Sequence, residues 1–202
     1  MGAPSSSSPT LYLASASPRR RDLLAQIGIT PDLIRGVEAD ETILAGERPR
    51  DAVRRLAQLK ADVAGHAAHD FTLAADTIVA CGRRILGKPS DEAEAETMLR
   101  LLSGRAHKVM TAVVLTTRDG QRREKCVETR VQFKRLSSDE LRAYLLSREW
   151  EGKAGAYAIQ GMAEVFVRSL QGSWSNVVGL PLYETANLLQ GAGYPMYSGG
   201  GK

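Results

Sequence analysis

An α/β fold around a mixed sheet is predicted by two features of the sequence. Short apolar runs of strand length alternate with longer segments whose apolar residues recur at helical spacing. Asp119-Gly120 also joins two β-rich runs, a strong hairpin signal that brings antiparallel pairing into the sheet. The 202 residues are 43% hydrophobic and 25% charged, enough apolar surface for one sizeable core. One folding unit is expected over 11–190, between a disordered tail at 1–10 and a flexible one at 191–202.

Leu11 to Ser15 reads as a short buried strand, and Ser17-Pro18 supplies an N-cap followed by proline at the first helical position. A helix is expected from Pro18 to about Ile27, ended by Gly28. Asp32 to Val37 is a second strand candidate, and Glu38 to Arg48 a polar loop with four acidic residues. Pro49 opens a helix that Gly65 closes, with Ala52, Val53, Leu56, Ala57, Val63 and Ala64 on one stripe; Lys60 shares that stripe.

Phe71 to Cys81 is an apolar strand, Gly82-Arg83 a turn, and Arg84 to Leu86 the return. Ser90 is expected to cap a helix to about Leu102 that buries Ala95, Met98, Leu99 and Leu102. The hairpin runs are Val109 to Thr116 and Glu124 to Phe133. Ser137 and Glu140 form a capping box for a helix to Ser147. A glycine-rich loop over 152–161 leads to a strand from Glu164 to Leu170, and Pro181 opens a last helix to about Gln190.

The net charge of +4 is spread along the chain, which suits anionic small molecules, and aromatic residues at 5% are not interleaved with basic ones as single-strand binding requires. Nucleic-acid binding is not expected. Cys81 and Cys126 are far apart and outside any CxxC, so reduced thiols and a cytoplasmic location are the simple expectation. No apolar run reaches the roughly 18 residues of a membrane span, and residues 1–10 lack a signal peptide's apolar core, so no membrane role is expected.

Four stretches could carry chemistry. Ser15-Ala16-Ser17-Pro18-Arg19-Arg20 runs a strand end into a helix N-terminus with two guanidinium groups, a phosphate cradle in form; a capped helix with solvated arginines is the plainer reading of that stretch alone. Asp76 is a carboxylate inside an apolar strand, which calls for a metal ion, a general-base role or a structural salt bridge. Glu38-Ala39-Asp40-Glu41 could give oxygen ligands to Mg²⁺ or simply be solvated. In 153–161, small residues allow close backbone approach and the Gln160 amide can both donate to and accept from a base edge, although a tight loop explains the composition equally.

Gly82 to Pro89 imitates a P-loop but ends in proline where the Mg²⁺-binding hydroxyl belongs, so that reading is rejected. Lys88 and Lys60 could still reach a phosphate, or snorkel to solvent. His66 and His69 lack a third ligand and read as surface residues.

The order and spacing of these pieces resemble the Maf family of nucleotide pyrophosphatases from about Leu11 to Gln190. The matching motifs begin at Leu13-Ala14-Ser15-Ala16-Ser17-Pro18-Arg19-Arg20, Asp40-Glu41-Thr42, Leu59-Lys60-Ala61 and Ala75-Asp76-Thr77-Ile78-Val79. They continue with Leu86-Gly87-Lys88-Pro89, Leu102-Ser103-Gly104, Lys153-Ala154-Gly155-Ala156-Tyr157 and Val178-Gly179-Leu180-Pro181-Leu182. The resemblance implies two lobes with the active site in the cleft between them, an architecture related to inosine triphosphate pyrophosphatases, commonly as a homodimer. It further implies hydrolysis between the α and β phosphates of a nucleoside triphosphate with Mg²⁺ or Mn²⁺.

Carried over by motif, the functional positions are Ser15, Arg19, Arg20, Glu41, Lys60, Asp76, Lys88 and Gln160. Substrate binding falls to Ser15, Arg19, Arg20, Lys88 and Gln160, metal binding to Glu41 and Asp76, and catalysis to Asp76, Lys60 and Lys88. Arg19-Arg20, Asp76-Thr77 and Ile159-Gln160-Gly161 resemble the branch that acts on dTTP and UTP, rather than the one that prefers 7-methyl-GTP. A pyrophosphatase of 7-methyl-GTP or noncanonical purine triphosphates and a non-enzymatic septum or division regulator are the rival expectations.

Overall fold

The computed structural model describes residues 9–66 and 68–196; the tail expectations for 1–8 and 197–202 lie outside these. Strand β1 (Leu11–Leu13) leads to helix α1 (Pro18–Gln26), β2 (Leu33–Ile34), α2 (Pro49–Ala64) and the long β3 (Phe71–Cys81). There follow β4 (Arg84–Leu86), α3 (Glu92–Leu102), the hairpin β5 (Ala106–Thr117) and β6 (Arg122–Phe133), and α4 (Ser138–Leu146). Two 3₁₀ turns (Ala154–Ala156 and Met162–Phe166) precede β7 (Val167–Gln171), α5 (Trp174–Val178) and α6 (Leu182–Gly191).

Among the described residues the sheet runs β2-β1-β3-β5-β6-β7, with β4 on the end of β3. β1 pairs parallel with β2 and β3, and the remaining pairs are antiparallel, so the expected mixed α/β sheet is present.

The two-residue alternation of a strand sends β3 side chains to opposite faces. Ala74, Ile78 and Ala80 pack with the Ala52, Val53, Leu56 and Ala57 stripe of α2, while Leu73, Ala75 and Val79 face the larger core holding α3, α4 and α6. Asp76 therefore faces α2 and Thr77 faces the other side, an arrangement on which the site depends.

Some local expectations differ. The second strand is only Leu33–Ile34, both exposed, because one neighbour and no covering helix leave little apolar surface to bury. Asp91 caps α3 in place of Ser90: its Oδ1 accepts from Glu94 N at 2.8 Å, a carboxylate being favoured at the positive helix end. Ser90 instead donates to Glu94 at 2.9 Å. The first half of the Glu164 to Leu170 run is a 3₁₀ turn, and α5 was not anticipated.

Contacts among the described residues reach Thr10 and Tyr194. Thr10 bonds Asp70 through its amide at 2.8 Å and its hydroxyl at 2.9 Å, and Tyr194 packs edge-on against Phe71 with ring centroids 5.5 Å apart. The Ser137 and Glu140 capping box and the buried face of α3 are as expected.

Candidate active site

β1 ends where Ala14 N donates to Leu73 O of β3, and the chain turns outward through Ser15 into α1. Ser17 holds the N-cap position without a side-chain bond to the helix; Pro18 has no N–H to offer and Arg20 N donates to Ser17 O at 3.2 Å, so the anion-binding groups of this turn are the arginine side chains.

Arg20 on that turn is buried. Its Nε donates to Gly179 O at 2.8 Å, Nη1 to Ser15 Oγ at 3.0 Å and Nη2 to Thr77 Oγ1 at 3.2 Å. Three of its five N–H groups are thus engaged, and two are left for a ligand. Burial pulls its pKa below the ordinary arginine value, Arg19 adds to that, and Asp76 and Glu41 oppose it. Arg19 is half-buried, its Nε reaching Val178 O at 3.4 Å, and burial lowers its pKa too. Solvated arginines do not describe this pair.

Asp76 meets Lys60 across the interface between β3 and α2. Asp76 Oδ1 is ion-paired to the Lys60 ammonium, which also bonds Glu41 Oε1 at 2.7 Å. Glu41 Oε2 in turn accepts from Lys88 at 3.2 Å. Burial alone would raise the Glu41 carboxyl, but the bonds and charges of Lys60 and Lys88 outweigh it and hold the group below the usual carboxylate range. Lys60 is buried, so the snorkelling reading fails for it, while Lys88 is exposed and paired. The salt bridge to Asp76, set beside metal and base roles as an alternative, is present; it sits in the wall of a cavity.

The loop over 153–161 closes that cavity. Gly155, at φ +72°, donates to Gly87 O at 3.0 Å and ties this loop to the one carrying Lys88. Ala158 N donates to Tyr144 OH at 3.1 Å, and Tyr157 OH is 2.8 Å from His107 Nε2 beneath the loop. Gln160 stands exposed at the rim.

Ser15, Arg19, Arg20, Glu41, Lys60, Asp76, Lys88 and Gln160 all line one cavity of about 460 Å³, a size suited to a small organic ligand. Five cations, Arg19, Arg20, Lys60, Lys88 and Lys153, face it against the carboxylates Glu41, Asp76 and Glu151. Sequence reasoning did not single out Lys153, whose pKa is lowered by burial and then by Arg19, nor the Val178 and Gly179 carbonyls that hold the arginines. Lys153 lay inside a quoted motif, so its charge was the available signal; backbone carbonyls leave none.

The family model described as Maf-like protein matches residues 10–192. The chain belongs to the Maf-like protein family. A protein named dTTP/UTP pyrophosphatase from Caulobacter vibrioides is 57% identical to this Maf-like protein over 92% of this chain and 97% of its own. One of the same name from Paramagnetospirillum magneticum is 57% identical over 91% and 97%. A solved nucleoside-triphosphatase / dITP/XTP pyrophosphatase from Mycobacterium abscessus is 14% identical, covers 90% of this chain and 94% of its own, and gives a TM-score of 0.43.

Among the described residues of this Maf-like protein, no group of three or more His, Cys, Asp or Glu could hold a metal ion. The His69 ring lies tilted against that of Tyr12 with centroids 5.3 Å apart, and Cys81 and Cys126 are free thiols. Among the described residues no helix is long and apolar enough to cross a membrane.

Proposed function

We propose that this Maf-like protein hydrolyses dTTP and UTP to the monophosphate and pyrophosphate. The observation that carries the reading is the convergence of five cations and the Glu41, Lys60 and Asp76 web on one cavity. A triphosphate is the small ligand that needs so much positive charge, and the relatives' names supply the base.

Arg20 offers its two remaining N–H groups to phosphate oxygens, and Arg19, Lys88 and Lys153 add charge around them. Lys60 engages Asp76 Oδ1 and orients the carboxylate, so the proton of the attacking water is assigned to Oδ2. Gln160 at the rim is placed to bond a pyrimidine edge, with small residues on both sides to let the base approach.

Glu41 and Asp76 are the residues that would hold a divalent cation: both carboxylates converge on the Lys60 ammonium, and the ion would share or displace that contact. Two carboxylates without a third protein ligand suit Mg²⁺ or Mn²⁺ completed by water and phosphate oxygens. When bound, such an ion neutralises developing phosphate charge and lowers the pKa of water.

The family resemblance extends the reading to a homodimer, and the composition to a cytoplasmic protein without a nucleic-acid or membrane partner; light scattering checks the assembly. The reaction is tested with a panel of dTTP, UTP, 7-methyl-GTP, ITP and the common triphosphates with Mg²⁺, scoring pyrophosphate. Turnover led by dTTP and UTP, and abolished by a chelator, is expected. Preference for 7-methyl-GTP or ITP would reassign the substrate, and no turnover at all would favour the division regulator.

A further inference from the structure

α5 is five residues long, too short to hold itself together, so something must pin it where its last carbonyls meet the arginines. Asn176 does so while fully buried: its Nδ2 donates to Val109 O on β5 at 3.0 Å and to Thr129 Oγ1 on β6 at 2.9 Å. A carbonyl cannot donate, so the contact with Val109 O fixes which amide atom is the nitrogen. Asn176 Oδ1 has no partner among the described residues. An apolar residue would fill the space without that penalty, so the two donors are what this position requires.

The main chain of Asn176 is tied to Arg20 by a second route. Thr111 Oγ1 donates to Asn176 O at 3.0 Å, and Thr77 Oγ1 lies 3.0 Å from Thr111 Oγ1. Each hydroxyl has one proton, and that of Thr111 is committed, so Thr77 must be the donor between them. Its oxygen is then left to accept from Arg20 Nη2. The chain runs one way, from guanidinium through two hydroxyls to a carbonyl, and each bond polarises the next. Position 179 is glycine at φ +129°, a backbone conformation that side-chain-bearing residues rarely adopt, and this conformation aims Gly179 O at Arg20 Nε.

Resting on the reading of Arg20 as a triphosphate contact, we infer that Asn176 is a positioning residue. Acting with Thr111, it anchors α5 to the sheet and sets the guanidinium of Arg20 at the angle the phosphates need. It touches neither substrate nor arginine side chain.

A double-mutant cycle tests this, reading kcat/KM for dTTP with Mg²⁺ in the full chain. Thr111→Val removes only the hydroxyl, and should lower kcat/KM about tenfold, the coupling expected within one hydrogen-bond network. Thr111→Ser should recover most of the loss. Asn176→Ala should behave like Thr111→Val; if it fails to fold, Thr129→Val, which removes the side-chain acceptor of Asn176 Nδ2, takes its place and should give the same loss. In an Arg20→Lys background Thr111→Val should change nothing further, because the fork it positions is gone. Independent, multiplying losses would make Thr111 merely structural and overturn the inference while leaving Arg20 as a contact. If Arg20→Lys alone turned over like the parent, both would fall.

Discussion

The ammonium of Lys60 and the carboxylate of Asp76 form an ion pair in the wall of the cavity, with the two residues only 8% and 7% exposed. A largely apolar helix stripe and a largely apolar strand face, each carrying one charge, meet so that the two charges pair. The same pair that permits burial also sets a carboxylate in the cavity wall.

Removing Lys60 leaves a buried carboxylate short of its partner. Lys60→Met is expected to destabilise by about 2 to 3 kcal/mol, below the range for a sealed pair because water reaches the cavity and Arg20 remains near. Thermal unfolding checks this. Mg²⁺ should raise the midpoint of the variant more than that of the parent, since a cation between Glu41 and Asp76 replaces the lost ammonium; equal shifts would place the ion elsewhere.

Burial depresses the imidazole of His107, to about 4 from 6.5. The unfolded chain takes up this proton below about 6.5 and the folded chain only near 4, so the stabilisation is whole above pH 6.5 and lost as pH falls toward 4. At pH 5 the loss is about 2 kcal/mol. Urea unfolding at pH 7.5 and 5.0 should show the parent losing that much more than His107→Gln, and equal losses would remove His107 as the acid-sensitive group.

Gly155 adopts φ +72° where an added Cβ would lie 2.8 Å from Val79 Cγ1. Gly155→Ala therefore combines backbone strain with overpacking, at about 2 to 4 kcal/mol. Denaturant unfolding measures it, and a cost under 1 kcal/mol would show that the loop shifts freely off β3.

Much of this was legible in the sequence for identifiable reasons. The α2 stripe, apart from the exposed Val63, and the hairpin around Asp119-Gly120 are local signals, and all eight motif residues reach one cavity. Asp76 could be singled out because a charge in an apolar strand needs a partner, although the partner's identity required the packing of α2 on β3. What stayed hidden was set by tertiary contacts. α5 exists because Asn176 finds Val109 O and Thr129 across the sheet, contacts 67 and 47 residues away in sequence. The choice of Asp91 over Ser90 as cap turned on competition between two capable neighbours.

Pyrophosphate release from dTTP by Asp76→Asn is the most direct measurement. The substitution keeps the side chain's size and removes its ability to take a proton. A variant that stays folded by near-ultraviolet circular dichroism should lose about 10² to 10⁴ in kcat. Turnover within a few-fold of the parent by that folded variant would contradict the assignment of Asp76 as the group that activates water.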